Sequence, residues 1–582
     1  MHRESVGIVD HALNAAVFNG MAAVGGLYRK KLIAQSRHAD RVSKKLLMRM
    51  VRKNQNTEVG KKYHFRDIHS VKDYQKKVPL TTFDDYEEYV DRLAKNGEQG
   101  LMTTDKIVYF ADTSGTISVY KKIPVSKRFF MPTLLSGCVL YWLIRKEMRR
   151  RGFGSSSAWG LNMVETPSWE TPSGIRHGYI SSYAIGTANV LLSKMSCFPE
   201  ELFNPGEGVD ARYIKVLFAL AERDLTYMWA VFISTLTDLM AFIVENHKML
   251  IRDLARGKID PSVEIPADIR LRMEKKLRPN PKRAKELRDE FEHPERGPII
   301  PRIWKRMSVI VAIGSGEFFP YVEKMRSYTG PDIAFCHEFL GASEALFGTV
   351  TAVNDDRYLF VPDGSFLEFL PLNEEGEGDV RHPLTLKKLR EGEHYEIVLT
   401  NLSGLYRYCI KDVFRVAGFS GEAPYLQFAY RKQQMLNIAG AHVNTEQVRS
   451  AIKGLETSLN IHIADYTLYE DVEFIPSRVV LFLEPDAEEE WSPKTVAAIP
   501  QLLDKLLKEY NEDFRYLMGL DEISPSFVRV LPKGTYRKYR EEQIAKGVPI
   551  NQIKTVRVIQ KPQQLDFFCR EASWSPRGAK RQ

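Results

Sequence analysis

The chain has 582 residues, 44% hydrophobic and 27% charged, an ordinary globular composition with sequence enough for roughly three or four domains. The 83 Lys and Arg against 74 Asp and Glu leave a formal net charge of +9, but no aromatic residues interleave with the basic block to stack bases, so no nucleic-acid partner is expected. The five cysteines (Cys138, Cys197, Cys336, Cys409, Cys569) stand singly without a C-x-x-C pair, which excludes a disulfide framework or zinc knuckle and points to a reducing, cytoplasmic compartment.

In chain order, residues 1 to about 100 carry helical periodicity. The apolar stretch Ala12 to Leu27 is interrupted by Asn14, Asn19 and small residues, and reads as a docking helix rather than a signal peptide or membrane anchor. Ile107 to Ala111 reads as a buried strand that runs into Asp112-Thr113-Ser114-Gly115-Thr116, a hydroxyl-rich turn followed by Lys121 and Lys122. Such a turn offers a polyphosphate backbone N–H groups, hydroxyls and positive charge. It is not a Walker loop, because the G-x-x-x-x-G-K-[ST] spacing is absent. Between 107 and 245 short apolar runs alternate with helical ones, and Tyr213 to Asn246 reads as the longest continuous helical pattern, a buried core helix or pair of helices. A basic helical insertion follows at about 247–306, a solvated face of mixed charge. Ser308 to Ile313 reads as a buried strand, 335–430 as strand-rich, and the remainder as a smaller helix-and-strand unit. The expected architecture is α/β: an N-terminal domain, 1–430, with mixed sheets flanked by helices, and a small mobile α+β C-terminal domain, 431–582.

Four later segments bear on the chemistry. Gly341-Ala342-Ser343-Glu344 puts a carboxylate beyond a tight small-residue turn, where it suits Mg²⁺ held against phosphate oxygens or, more plainly, a solvated strand-to-helix turn. Gly404-Leu405-Tyr406-Arg407-Tyr408 leads to Asp412 at the end of an apolar-aromatic strand, where an acid accepts from ribose hydroxyls or merely caps a hairpin with Arg407. Phe428 to Gln434 stands at the proposed boundary, with Arg431 suited to a phosphate or ribose and Gln433 to a hinge. Gln552-x-Lys554-x-x-Arg557 supplies a lysine near the C-terminus, where a cation stabilises charge developing in phosphoryl or acyl transfer.

The order of these four segments after the Thr-Ser-Gly-Thr turn resembles the Gretchen Hagen family of acyl acid–amido synthetases, in the adenylate-forming (ANL) superfamily. Thr171-Pro172-Ser173-Gly174-Ile175 with Ser181 to Ala184, Phe366 to Pro371 and Arg415 to Phe419 are similar as well, so the likeness runs from about residue 45 to about 560. The resemblance implies a ligase that uses ATP and Mg²⁺ to turn a carboxylic acid into an acyl adenylate. It then transfers the acyl group to an amine, usually an amino acid in this family, while the C-terminal domain rotates between the half-reactions. Carried over by position, Thr113, Ser114, Gly115 and Thr116 with Lys121 grip the phosphates. Ala342 and Ser343 lie by the adenine, Glu344 serves the metal, Asp412 holds the ribose, and Phe428 and Arg431 complete the nucleotide site. Lys554 and His442 support adenylation. The acyl pocket is expected between the helix around Leu134 to Trp142, a Ser181-Ser182-Tyr183 loop and the strand near Val311, and its apolar lining suits an aromatic or lipophilic acid. The alternatives are a thiol acceptor, coenzyme A or a carrier protein, and a weakly nucleotide-binding scaffold. No stable membrane insertion is expected, and no oligomeric state follows from the sequence.

The chain departs from the family pattern at defined places. The glycines that usually follow the phosphate turn are replaced in Ile117-Ser118-Val119-Tyr120-Lys121-Lys122-Ile123-Pro124, which restricts φ. Lys411 stands where a glycine usually precedes the ribose acid, and His442 where a lysine follows the hinge, which makes charge there pH-dependent. Ile553 and Val556 replace the usual Tyr and Pro of the last motif.

Overall fold

The computed structural model describes residues 8–113, 121–154, 157–164, 166–205, 211–314, 318–372, 378–432, 436–439, 441–486, 491–548, 550 and 553–572. The chain divides into two compact units, the first Met1–Gly314, Tyr321–Ile410 and Phe414–Gln427, the second Ser315–Pro320, Lys411–Val413 and Phe428–Gln582.

The first unit opens with the helix Ile8–Ser36, which packs along the helix Lys127–Arg150. The two backbones touch at Gly25, where a Cβ would lie 1.9 Å from the Cys138 carbonyl oxygen, so only glycine fits. Asn14, an interruption in the apolar stretch, is fully buried; its side chain donates to the carbonyls of Ala158 (2.9 Å) and Lys194 (3.0 Å) and accepts from Ala158 N–H (2.9 Å). A buried amide so fully partnered fixes how the helix docks. Among the described residues no helix is long and apolar enough to cross a membrane.

The strand β1 (Ile107–Thr113) pairs antiparallel with β2 (Lys121–Ser126). The strand β3 (Trp159–Asn162) starts a second sheet, while β4 (Ser168–Glu170) and β5 (Arg176–Gly178) extend the first into the order β2-β1-β5-β4. The strands β6 (Leu225–Phe232), β7 (Val309–Ile313) and β8 (Ala334–Cys336) join β3 in an all-parallel sheet, β3-β6-β7-β8. Parallel strands covered on both faces read as near-continuous apolar runs, as these do. A third sheet takes β9 (Phe339–Gly341), β10 (Leu346–Thr349), β11 (Tyr358–Phe360), β12 (Phe366–Pro371), β13 (His394–Thr400), β14 (Tyr408–Ser420) and β15 (Ala423–Arg431) in the order β12-β13-β14-β15-β11-β10-β9.

Three expectations from sequence are corrected here. Tyr213 to Asn246 holds a pair of helices but is not a continuous helical pattern: the helix Arg212–Ala221 ends at Glu222-Arg223-Asp224, β6 follows, and the helix Ile233–Arg256 starts directly after it. An apolar strand between two apolar helices leaves no change in hydrophobicity to betray it, and only the three charged residues mark the break. Ser181, Ser182 and Tyr183 lie within the helix Ile180–Ser193 rather than in a loop. Asp412 does not end a strand; it is the fifth residue of the thirteen-residue β14.

In the second unit β16 (Leu436–Ile438) and β17 (Ala441–Val443) form a hairpin, and β18 (Ile463–Asp471), β19 (Arg478–Pro485) and β20 (Ser524–Val530) form a three-stranded sheet. The strand period of two divides β19 between two cores. Val479, Leu481 and Leu483 pack with the helices Thr445–Leu459 and Pro493–Tyr510, while Val480 and Phe482 pack with Tyr536, Tyr539, Phe567 and Phe568.

Candidate active site

In the first unit, strand register sets the phosphate-binding candidates. Thr113 and Lys121 are cross-strand partners, as are Asp112 and Lys122, so the hydroxyl and the cation are brought opposite each other by the β1–β2 ladder. The Lys121 ammonium also lies 5.5 Å from the centre of the Phe83 ring. Ser114, Gly115 and Thr116 lie outside the described residues. Beside Thr113, the Asp112 carboxylate is buried and accepts from or pairs with His177 Nδ1 at 2.9 Å.

Ala342, Ser343 and Glu344 form the tip of the β9–β10 hairpin, a strand-to-strand turn rather than the strand-to-helix turn considered from sequence. The turn is closed by Ala342 N–H to Ala345 C=O at 2.8 Å and is partly exposed. Its position is fixed by Asn401, which sequence reasoning missed. The fully buried Asn401 donates from Nδ2 to the Glu344 carbonyl (2.8 Å), and its Oδ1 accepts from Ser403 N–H (2.9 Å) and Leu405 N–H (3.1 Å). Ser403 Oγ in turn accepts from Ser126 N–H at 3.0 Å, where β2 ends. Asn401 and Ser403 together therefore tie the Gly-Leu-Tyr-Arg-Tyr segment, the Glu344 turn and the end of β2 to one another. The only sequence signal was its place three residues before Gly404.

Arg407 is structural. Its guanidinium donates to both oxygens of the fully buried Glu368 (3.0 and 3.1 Å) and to the carbonyls of Gln75 (2.9 Å) and Val78 (2.8 Å). The next residue, Tyr408, has its hydroxyl pKa pushed up, first by burial and then by the Glu344 charge.

In the second unit Asp412 is buried, and its two oxygens accept from Arg431 Nε (2.5 Å) and an Arg431 terminal nitrogen (2.9 Å). The two nucleotide candidates thus engage each other as a bidentate pair, the geometry arginine favours with carboxylates. Lys411 has φ of +63°, the left-handed region that favours glycine, which accounts physically for a glycine at this place in the family pattern. Glu338 (+49°), Arg407 (+50°) and Ala439 (+50°) are likewise left-handed. Phe428 is half-buried on β15, and His442 is exposed on β17, its carbonyl accepting from Asn511 Nδ2 at 3.0 Å.

Lys554 is exposed between buried neighbours Ile553 and Thr555. Its segment runs beside β18: Leu468 N–H donates to Arg557 C=O (2.8 Å) and Ile559 N–H to Leu468 C=O (2.9 Å). Arg557, the last residue of the motif, is buried against Asp465 and the Tyr466 carbonyl and anchors the segment. Ile553 and Val556 fill the buried side of the same segment, so these departures serve packing. Among the described residues no group of three or more His, Cys, Asp or Glu side chains gathers into a metal site. A lone Glu344 carboxylate completed by phosphate oxygens is nevertheless a donor set of the kind Mg²⁺ takes.

Comparisons with known proteins agree along the chain. Family models described as the GH3 family N-terminal, central and C-terminal domains match residues 28–333, 358–431 and 446–563. The probable indole-3-acetic acid-amido synthetase GH3.11 of Oryza sativa subsp. japonica is 26% identical over 556 residues, covering 90% of this chain and 92% of its own. Indole-3-acetic acid-amido synthetase GH3.3 of Arabidopsis thaliana is 24% identical, with 95% and 94% covered. The solved structure of GH3.15 acyl acid amido synthetase superposes with a TM-score of 0.79 at 21% identity, covering 92% of this chain and 94% of that one. The same enzyme in complex with 2,4-DB gives 0.80 at 20% identity, with 93% and 95% covered.

Proposed function

The chain belongs to the GH3 family and is a ligase, and from that premise we propose that it activates a carboxylic acid with ATP and joins the acyl group to an amino acid. The observation that carries this reading is the match of 90% and 95% of the chain to relatives named as acid-amido synthetases. Those names favour an amine over a thiol acceptor.

In the first half-reaction the acid's carboxylate oxygen attacks the α-phosphorus of ATP and pyrophosphate leaves with the P–O bond pair. In the second, the amine nitrogen attacks the acyl carbon, AMP leaves and the amine gives up a proton. Neither step needs a protein nucleophile; positioning and charge neutralisation supply the catalysis. Thr113 and Lys121 bear on the phosphates, and Asp412 accepts from ribose hydroxyls. Ala342 and Ser343 abut the base, and Lys554 stabilises negative charge building at the α-phosphate. Glu344 would hold Mg²⁺, which supplies neutralisation of the departing pyrophosphate.

The test is ATP–pyrophosphate exchange across a panel of carboxylic acids, followed by product mass spectrometry with amino acids and with coenzyme A. Acid-dependent exchange that Lys554→Ala abolishes, and an amide product, are expected. Absence of exchange together with no thermal shift by ATP·Mg²⁺ would refute the proposal.

A further inference from the structure

The helix Ile8–Ser36 is largely apolar on both sides, yet the protein covers only one of them. Asn14, Phe18, Ala22, Gly25, Tyr28 and Leu32 face inward and are buried. On the other side every exposed residue from Ala12 to Leu27 is an alanine, glycine, valine or leucine. The larger side chains stand well out, Val9 at 78%, Leu13 at 42%, Val24 at 43% and Leu27 at 68% exposure. Spacings of three and four residues stack them into one stripe, about 27 Å long at 1.5 Å per residue. A helix that is apolar all round is normally buried all round, and a continuous exposed stripe marks a contact surface where a single exposed side chain would not.

Three glycines lie in this helix, and two have a reason within the chain. A Cβ at Gly25 would lie 1.9 Å from the Cys138 carbonyl oxygen, and one at Gly26 would lie 2.8 Å from Trp142 Cδ1. At Gly20, in the middle of the exposed stripe, a Cβ would meet nothing within 4 Å. Glycine in a helix interior is less stable than alanine, so the chain's own packing does not favour it there. What it permits is the close approach of another backbone.

Gly20 is also the centre of the stripe. Ala16 and Val24 stand four residues to either side of it, and Leu13 and Leu27 stand seven. A two-fold axis beside Gly20 lays the same helix of a second copy antiparallel on this one. Leu13 of each copy then meets Leu27 of the other, and Ala16 meets Val24. Asp10 of one copy comes level with Lys30 and Lys31 of the other, so opposite charges meet at both ends and the helix dipoles run opposed. A parallel pair would set Lys30 and Lys31 against themselves. A lipid surface fits less well, because the stripe offers it no exposed aromatic residue and only four side chains larger than alanine.

We propose that a second copy of this chain docks on the exposed face of the helix Ile8–Ser36, antiparallel and with Gly20 at the two-fold axis, to form a homodimer. Adenylation plays no part in this contact. One helix pair is a small interface, so a dissociation constant of roughly 1–100 μM is expected.

Sedimentation velocity of the full chain, over a concentration series spanning that range, should show monomer giving way to dimer. Leu13→Lys and Leu27→Glu, each at an exposed position, should weaken the dimer about tenfold or more by placing an unpaired charge in the contact. Combined in one chain, the two substitutions should restore it, because the new charges meet across an antiparallel pair. On one helix they lie about 21 Å apart and cannot pair. Gly20→Leu, which fills the point of closest approach, should abolish the dimer while circular dichroism shows the fold unchanged. A protein that stays monomeric throughout the series overturns the proposal, as does a dimer that survives Leu27→Glu or Gly20→Leu. A combined variant no better than the single ones also overturns it. So does a monomer that pellets with vesicles of phosphatidylserine and phosphatidylcholine, which would assign the stripe to lipid.

Discussion

The Arg407–Glu368 pair gives the sharpest test of how the site is held. Both side chains are buried, at 4% and 0% exposure, and four donor contacts radiate from the guanidinium. Arg407→Met keeps the volume but leaves the Glu368 carboxylate in the interior with, among the described residues, only Gln75 Nε2, at 2.9 Å, as a donor. Orphaning one member of a buried ion pair costs about 3–5 kcal/mol. The carbonyls of Gln75 and Val78 each lose a donor as well, which brings the total to about 4–6 kcal/mol. The double variant Arg407→Met/Glu368→Leu removes the stranded charge, and an apolar replacement of the whole pair is close to neutral. It should therefore recover at least half of the loss. Urea unfolding followed by tryptophan fluorescence measures both. A single-variant loss below about 1 kcal/mol, or a double variant less stable than the single, would show that the pair does not hold the Gly-Leu-Tyr-Arg-Tyr segment as argued.

Asn401→Ala removes the amide that fixes the Glu344 turn, so exchange activity should fall by about 10²-fold, the scale of a 1 Å misplacement, and need more Mg²⁺; a Mg²⁺ titration reads this out, and unchanged activity would refute the link. Asp412→Asn should raise the KM for ATP by about 10- to 150-fold, the worth of hydrogen bonds to a charged group, while the KM for the acid stays within twofold. Glu338 gives the protein a pH dependence, because burial raises its carboxyl pKa. Its carboxyl keeps its proton in the folded state up to about 8 but loses it near the usual 4.5 when unfolded, so the unfolded chain binds fewer protons between those values. Stability from this group therefore declines as pH rises from about 4.5 to 8, by at most about 1.4 kcal/mol per pH unit. Glu338→Gln should remove that slope, and calorimetry of both proteins at pH 5, 7 and 9 checks it; a difference that does not change with pH contradicts the burial argument.

The order of motifs was legible because each sits in a local pattern: a strand into a hydroxyl turn, a small-residue turn before an acid, a lysine in an apolar run. What joins them was not. Asn401 reaches Glu344 across 57 residues and Ser403 reaches Ser126 across 277, and no local spacing announces such bonds. Arg407 read equally well as a hairpin cap, because the residue that decides its role, Glu368, lies on β12. The strand β6 was hidden for a different reason. Its sequence Leu-Thr-Tyr-Met-Trp-Ala-Val-Phe is apolar on both faces, as a strand inside a parallel sheet requires, and that erases the alternation by which strands are recognised.

The glycine-poor stretch after Thr116 looked from sequence like the chain's main liability as an enzyme. The register of β1 and β2 changes the weight of that departure. Thr113 and Lys121 face each other because the ladder from Phe110↔Pro124 through Asp112↔Lys122 carries them there, with Phe110, Ala111, Ile123 and Val125 fully buried beneath. The placement of the cation opposite Thr113 thus follows from the register of β1 and β2. Glycines would bear on how closely a backbone approaches the pyrophosphate, and strand register on where charge and hydroxyl meet it. The two demands are separable, so the sequence can relinquish the first without losing the second. Ile123→Asp, which puts a carboxylate under the hairpin, should for that reason damage ATP use more than glycine restored at Val119.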